Sequence, residues 1–177
     1  MKRSFSVRTL ARCALMAALL CVLGPFSIPI GPVPVSLGTF AVSLCAMILG
    51  GPLGAVSVLV YLLLGAAGLP VFTGFQGGLA KLAGPTGGYL VGFLLHALAG
   101  GLIAKRFRFK PIPSFLALTF GLLLDYVLGS AWFMISAHAQ LGHTLKVCVL
   151  PFIPFDLIKN AGAVWLGLVL RKHLRLD

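Results

Sequence analysis

The sequence predicts an all-α integral membrane protein with six transmembrane helices, folded as one domain over residues 1–177. Hydrophobic residues make up 59% of the chain and its mean hydropathy is +1.07, whereas a soluble domain of this size needs a charged surface. Only three acidic residues are present, against 14 Lys and Arg. A helix needs about 20 mostly apolar residues to cross a bilayer, and the chain contains six such segments.

The six predicted spans follow one another with short connections. The first comes after a basic N-terminus, and because no small-residue cleavage site follows it, we expect it to be retained rather than removed as a signal peptide. The second and third are separated only by Gly50, Gly51 and Pro52, so a re-entrant or tilted arrangement is an alternative there. A basic loop follows the fourth span and a polar loop follows the fifth. The predicted bounds are 9–25, 35–50, 52–69, 87–104, 113–135 and 151–170.

The positive charge of the chain predicts its orientation in the membrane. Lys and Arg cluster at residues 2–12, 105–110 and 171–175, each beside an apolar segment, as the positive-inside rule describes. An even number of spans places both termini on the same side, so the N- and C-termini and all three clusters are predicted to be cytoplasmic. This placement makes the lipid bilayer, and not nucleic acid, the partner of the net charge of +11.

Three loops are then predicted to face outward, and they contain most of the unusual sequence features, namely clustered prolines, clustered glycines and two histidines. Residues 25–34 include four prolines, which make a stiff connector that serves as a lid or wall, or as a spacer. Residues 70–86 are rich in glycine, which allows close approach of the backbone to a ligand but also serves turns and tight helix packing. Residues 136–146 contain His138 and His143, whose spacing does not align two ligands on a helix face, so no metal site is expected.

Charged residues inside apolar segments are costly and often functional. Asp156 and Lys159 lie one turn apart at the start of the sixth span, where they form either a structural ion pair with a capping role or a ligand site. We favour the ligand site. Asp125 lies at a comparable depth in the fifth span, and the hypotheses for it are pairing with Lys159 or carrying a proton.

Small residues form a flank on the first span. Ala14 and Ala18 repeat at i, i+4, and Ala11 and Ala17 extend the flank. Small residues let helices approach closely in lipid, so this face either packs inside the chain or docks a separate subunit.

Three motifs carry more specific information than composition does. They are the Gly-Pro-Thr-Gly-Gly-Tyr run of residues 84–89, Tyr126-x-x-Gly129-x-x-Trp132, and Asp156-x-x-Lys159-Asn160. Together they resemble the BioY family, the biotin-binding S components of energy-coupling factor (ECF) transporters, and the resemblance covers nearly the whole chain.

The resemblance implies an S-component fold in a prokaryotic cell membrane that captures biotin from outside with high affinity. It also implies three protein partners, a transmembrane coupling subunit and two cytoplasmic ATPases, and toppling of the S component during transport. No cofactor is expected in this chain, because ATP would be used only by the partner subunits. The flank of Ala11, Ala14, Ala17 and Ala18 resembles the family's docking motif for the coupling subunit.

Biotin combines a ureido group, an apolar bicycle with a thioether, and a carboxylate. Asp156 can accept ureido N–H groups, Lys159 can attract the carboxylate, and aromatic side chains can cover the rings. In an alternative division, Asp156 orients Lys159 while Gln76 or Asn160 reads the ureido oxygen, and Lys81 is an alternative carboxylate partner. The expected ligand-binding residues are Phe72, Phe75, Gln76, Gly78, Lys81, Gly87, Gly88, Tyr89, Asp156, Lys159 and Asn160.

The sequence contains no Walker motif, nucleophile triad or metal constellation, so we do not expect an enzyme. Energy for uptake must then come from partner subunits or from an ion gradient. The second possibility defines the alternative function, a stand-alone secondary transporter or facilitator in which Asp125 carries a coupling proton.

Overall fold

The computed structural model describes residues 7–28 and 35–174, and these residues are almost entirely helical. Each of the six predicted spans contains a helix. The fourth is a single run in which two α-helices are joined by a π-helical turn, His96–Gly100. The helices are α1 (Val7–Leu23), α2 (Gly38–Leu49), α3 (Gly51–Ala66), α4 (Leu79–Ala83), α5 (Gly87–Leu95), α6 (Gly101–Arg106), α7 (Pro111–Ala137), α8 (Leu141–Cys148) and α9 (Ile153–Leu174).

Helix length and composition confirm a membrane protein. Within the described residues, three helical runs are long and apolar enough to cross a bilayer, namely Gly87–Arg106, Pro111–Ala137 and Ile153–Leu174. The helices α2 and α3 are apolar but shorter, and α1 has 17 residues. The count of six membrane crossings therefore stays a prediction.

The connections on the predicted outer side contain structure that the sequence did not indicate. Two short strands, β1 (Ser27–Ile28) and β2 (Val35–Ser36), pair antiparallel and bring the ends of the proline-rich loop together. Residues 29–34, where most of the predicted lid or wall falls, lie outside the described residues. The loop of residues 136–146 is partly helical, because α8 begins at Leu141.

Helix α2 lies at the centre of the bundle. All eight residues from 41 to 48 are buried, as expected of a helix that is apolar all round and packed on every side. It contacts α9 most extensively, and it also packs against α3, α1 and the π-helical turn. In contrast, α7 and α9 expose large apolar residues such as Val127 (70%) and Ile158 (70%), which is the surface that a lipid environment requires.

Glycine allows α3 and α6 to cross at backbone contact. A Cβ added to Gly101 would lie 2.5 Å from the backbone nitrogen of Gly51 and 2.7 Å from the carbonyl carbon of Gly50. We expect Gly101→Ala to lower the free energy of unfolding by about 1–3 kcal/mol, because the two backbones would have to separate. Thermal unfolding in detergent, followed by circular dichroism, measures this.

Gly142→Ala is the matched control for that substitution. Gly142 is also helical, in α8, but a Cβ there meets nothing within 4 Å. Its melting temperature should stay at or slightly above that of the wild type, because alanine favours helix. Equal melting temperatures for the two variants would contradict close packing at Gly101.

Candidate ligand-binding site

A cleft opens between the predicted outer ends of α2, α5, α7 and α9. It encloses about 670 Å³, counting the space open to solvent at its mouth. Aromatic, hydroxyl and charged side chains all contribute. The lining residues are Ser36, Thr39, Thr73, Lys81, Thr86, Tyr89, Leu90, Phe93, Asp125, Tyr126, Cys148, Phe152, Asp156 and Lys159.

The carboxylate of Asp156 is the centre of a hydrogen-bond network at the floor of the cleft. Asp156 is 3% exposed. Its Oδ1 accepts from Thr39 Oγ1 at 2.9 Å and from Lys159 Nζ at 2.6 Å, and its Oδ2 accepts from Tyr126 Oη at 2.6 Å. Because a buried carboxylate is costly unless it is paired and hydrogen-bonded, this network is what allows the charge to remain at the floor of the cleft.

Lys159 is held by the same network. Besides its ion pair with Asp156, its ammonium donates to the carbonyl oxygen of Ser36 at 2.8 Å and to Thr39 Oγ1 at 2.9 Å. An ammonium has three protons, so all three are used by groups of the protein. Lys159 therefore fixes the start of α2 against α9 and orients Asp156, while still lining the cleft.

The local sequence of α9 explains why the pair lies here. Pro154 falls in the first turn, where proline is tolerated because the amide it lacks would have no helical partner. Asp156 is then the acidic residue of the first turn, where the helix dipole favours a negative charge. Lys159 follows after one turn, so both side chains point toward α2.

Asp125 contributes a second carboxylate to the cleft, from α7. It is 1% exposed, and its Oδ1 has no hydrogen-bond partner within the described residues. The hypothesis that it pairs with Lys159 is wrong, because the lysine pairs with Asp156. Gly92 of α5 lies directly opposite, since a Cβ there would be 2.1 Å from Asp125 Oδ1. Asp125 Oδ1 therefore holds acceptor capacity that the described residues leave unused.

Lys81 is the second cation that lines the cleft. It lies on the short helix α4, is partly exposed, and has no hydrogen bond or ion pair with any described residue. Partial burial lowers the pKa of Lys81 below its ordinary value. Unlike Lys159, it has an ammonium free to meet a ligand anion.

Aromatic rings line the cleft, but only one of the three predicted ones is among them. Tyr89 lines it, whereas Phe72 is fully buried in the core against Tyr61, with ring centroids 5.5 Å apart. Phe75 is 60% exposed and packs edge-on against Phe26 outside the cleft. The other rings in the wall are Phe93, Tyr126 and Phe152.

The remaining predicted polar residues do not line the cleft. Gln76 is exposed on the loop before α4, where its backbone pairs with that of Phe72. Asn160 is 1% exposed and lies one turn beyond Asp156, where its Oδ1 accepts from Ser43 Oγ at 2.6 Å. In this structure either residue could reach a ligand only after rearrangement.

The predicted glycines position the wall rather than form it. Gly78, with φ of 91°, precedes α4 and donates its amide to the carbonyl oxygen of Gly65 at 2.7 Å. Gly87 and Gly88 begin α5, where a Cβ would meet the backbone of Leu82 and the side chain of Trp132. These glycines allow tight packing here, and their contact with a ligand stays a prediction.

Two hydroxyl groups and one backbone carbonyl that complete the site are not among the predicted ligand-binding residues. Thr39 and Tyr126 hold Asp156, and Ser36 holds Lys159 through its backbone carbonyl. The sequence contains one indication of them. Ser36 and Thr39 are polar residues, three positions apart, at the predicted outer end of the second apolar span, at the same predicted depth as Asp156.

The alanine flank of α1 is divided by the structure. Ala11, Ala14 and Ala18 are exposed on one side of the helix, whereas Ala17 is 3% exposed and packs inward. Three of the four alanines therefore form a continuous outer stripe that is open to another helix.

Apolar helices around a cleft with two carboxylates and two lysines define a membrane-embedded binding protein for a small, partly polar ligand. A model of one family, described as the BioY family, matches residues 1–176. The chain belongs to the BioY family.

Relatives and a solved structure agree with this membership. The chain is 41% identical over 167 residues to the biotin transporter BioY of Thermotoga maritima, covering 94% of this chain and 97% of the relative. It is 40% identical over 161 residues to the biotin transporter BioY2 of Lactococcus lactis, with 91% and 88% covered. A crystal structure of the S-component for biotin from an ECF-type ABC transporter matches with a TM-score of 0.88 and 32% identity, covering 97% of this chain and 95% of the other.

Proposed function

We propose that this chain is the biotin-binding S component of an ECF-type transporter in a prokaryotic plasma membrane. It captures extracellular biotin in the cleft and releases it on the cytoplasmic side after docking to an energising module. The observation that carries the proposal is the cleft itself, in which a buried Asp156, held by three hydrogen bonds, lies at the floor of an aromatic pocket in a chain of the BioY family. It binds and carries its ligand and does not transform it.

The distribution of charge in the cleft supports one orientation of biotin. The floor offers the carboxylates of Asp156 and Asp125, which accept hydrogen bonds and so suit the ureido N–H groups. The protons of Lys159 are used within the protein, whereas Lys81 has its ammonium available. The valerate carboxylate therefore lies toward Lys81, the alternative partner in the sequence analysis, and the apolar bicycle lies between Tyr89, Phe93 and Phe152.

Lys81→Ala tests this orientation. We expect it to weaken biotin binding by about tenfold, the scale of losing a close and partly exposed charge pair, while a biotin amide, which lacks the carboxylate, loses less than about twofold. Titration calorimetry on the purified chain in detergent measures both ligands. Lys159→Ala should weaken both ligands to a similar extent, because Lys159 holds Asp156.

Lys110→Ala is the control for these titrations, because Lys110 is exposed just before α7, at the end of the bundle opposite the cleft. It should leave both affinities at the wild-type value. A loss in Lys159→Ala that is confined to biotin, with none in Lys81→Ala, would reverse the assignment of the two lysines.

The six-span topology with both termini in the cytoplasm is part of the proposal. It places the cleft outside and the basic ends of α1, α6 and α9 inside, in agreement with the positive-inside rule. The energising module then comprises a transmembrane coupling subunit and two ATPases, which reach the chain from the cytoplasmic side. The outer stripe of Ala11, Ala14 and Ala18 is the surface proposed to meet the coupling subunit.

One observation favours the alternative of a stand-alone secondary transporter. Asp125 is buried in the cleft and its Oδ1 has no partner among residues 7–28 and 35–174, as expected of a proton-carrying carboxylate. Uptake of labelled biotin by vesicles that contain the chain alone, or the chain with its module and ATP, separates the two functions. An S component gives concentrative uptake only with the module and ATP. Uptake by the chain alone that follows an imposed proton gradient would instead establish the secondary transporter.

A further inference from the structure

A buried polar cluster, made of Ser43, His96 and Asn160, lies one helical turn beneath the floor of the ligand cleft. Ser43 and His96 are 0% exposed and Asn160 is 1% exposed. Ser43 follows Thr39 by four residues on α2, and Asn160 follows Asp156 by four residues on α9. Residues four apart share one face of a helix, so the cluster continues the faces that hold the cleft floor. Its members lie behind the residues that line the cleft.

The hydrogen bonds of the cluster run in one direction. Ser43 Oγ donates to Asn160 Oδ1 at 2.6 Å, and it also lies 3.1 Å from His96 Nε2. A hydroxyl group has a single proton, and Ser43 gives that proton to Asn160. The second bond is therefore donated by the Nε2–H group of His96. A chain of two hydrogen bonds thus joins the π-helical turn to α2, and α2 to α9.

Close packing against α7 fixes the position of the imidazole. His96 is the first residue of the π-helical turn, which packs most extensively against α7. A Cβ added to Gly121 of α7 would lie 2.7 Å from the carbonyl oxygen of His96 and 2.9 Å from its ring Cδ2. Turns of π-helix inside α-helices frequently occur at functional sites. The cluster therefore lies where α2, α7 and α9 meet, and these three helices supply the donors to Asp156.

We propose that Ser43, His96 and Asn160 are positioning residues for the ligand cleft. Asp156 receives its hydrogen bonds from Thr39 of α2, Tyr126 of α7 and Lys159 of α9, so its geometry depends on how these helices are rotated. Apolar contacts tolerate small rotations, whereas buried hydrogen bonds select one arrangement. The cluster provides such bonds one turn away and holds α2 and α9 in the register that the floor requires.

This inference rests on the proposed function, because its readout is the affinity for biotin. Three substitutions of His96 test it. Glutamine places an amide nitrogen near the position of Nε2, asparagine places one near Nδ1, and leucine has no donor. We expect His96→Leu and His96→Asn to weaken biotin binding about tenfold, the scale of one lost buried hydrogen bond, and His96→Gln to stay within about threefold of the wild type. Titration calorimetry on the purified chain in detergent measures the dissociation constants.

Two buried serines provide a matched pair if a His96 variant does not fold. Ser57 of α3 is also 0% exposed and donates to the carbonyl oxygens of Cys13 at 3.0 Å and Leu53 at 3.1 Å, but it is not part of the cluster. Ser43→Ala should weaken biotin binding about tenfold, and Ser57→Ala less than about twofold. The double variant His96→Leu/Ser43→Ala should lose no more than either single variant, because both remove the same bond. Circular dichroism melts verify that each variant is folded.

The titrations separate this inference from the proposed function. Equal affinities for the glutamine, asparagine and leucine variants of His96 would overturn the positioning role, whether all three are weak or all three match the wild type. Equal losses in Ser43→Ala and Ser57→Ala, or losses that add in the double variant, would overturn it as well. Wild-type binding accompanied by these results would leave the proposed function intact. A wild-type chain that binds no biotin would overturn both.

Discussion

Asp156→Asn is expected to weaken biotin binding by roughly 100-fold or more. The substitution removes the charge that three donors share, from Thr39, Tyr126 and Lys159, and leaves the lysine ammonium in the protein without its counter-ion. Truncating one partner of a buried, hydrogen-bonded charge pair typically costs about 2–5 kcal/mol, and a 100-fold loss corresponds to about 2.7 kcal/mol. Titration calorimetry on the purified variant measures the dissociation constant.

A second variant keeps this prediction testable if the first is unstable. Removal of one member of a buried ion pair destabilises the fold, whereas replacement of both members by neutral groups is often tolerated. Asp156→Asn/Lys159→Met should therefore melt closer to the wild type than Asp156→Asn does, and it should still fail to bind biotin. Binding by either variant within about threefold of the wild type would show that the pair is structural only.

Ala14→Trp is expected to abolish concentrative uptake while biotin binding is unchanged. Ala14 lies in the exposed stripe of α1 with Ala11 and Ala18. Small residues allow a partner helix to pack closely, and a large ring at this position would prevent that close packing. The residue does not line the ligand cleft. Uptake by vesicles with the energising module should fall at least tenfold, because close approach of the two helices provides most of the contact between α1 and the coupling subunit.

Val127→Trp controls for the insertion of a bulky ring into the lipid-facing surface. Val127 is 70% exposed on α7, away from the alanine stripe. We expect it to transport at nearly the wild-type rate. If Ala14→Trp also transports normally, the stripe is not the docking surface; if it no longer binds biotin, the defect lies in folding and not in docking.

The helices and the charged centre of the site could be predicted from the sequence for simple reasons. A span of apolar residues and its basic borders are local properties, so their positions follow from composition. Asp156 and Lys159 stood out because charge is costly in an apolar segment. Tyr89 and Lys81 were also placed among the ligand-binding residues, and both line the cleft.

The partners of those residues could not be predicted, because they depend on how helices rotate against each other. Helix α2 is apolar on all sides, so no periodicity reveals that Thr39 faces α9. In α1, likewise, the sequence does not show that Ala17 packs inward while Ala14 and Ala18 face outward.

The loop aromatics show a similar limit. Phe72 and Phe75 are three residues apart in the same glycine-rich loop, yet one is in the core and the other is exposed. Phe75 adopts a φ of 57°, an uncommon conformation for a residue with a side chain, and this turn directs its ring toward Phe26. Sequence composition indicated an aromatic cover, but backbone geometry decides which rings reach the cleft.

Titration of the wild-type chain, purified without any partner, with biotin is the most direct test of the central claim. A preformed cleft whose Asp156 is held by three hydrogen bonds predicts tight binding of one biotin per chain, without ATP and without the energising module. A chain that is folded by circular dichroism but binds no biotin would contradict the claim and would reopen the function of the cleft.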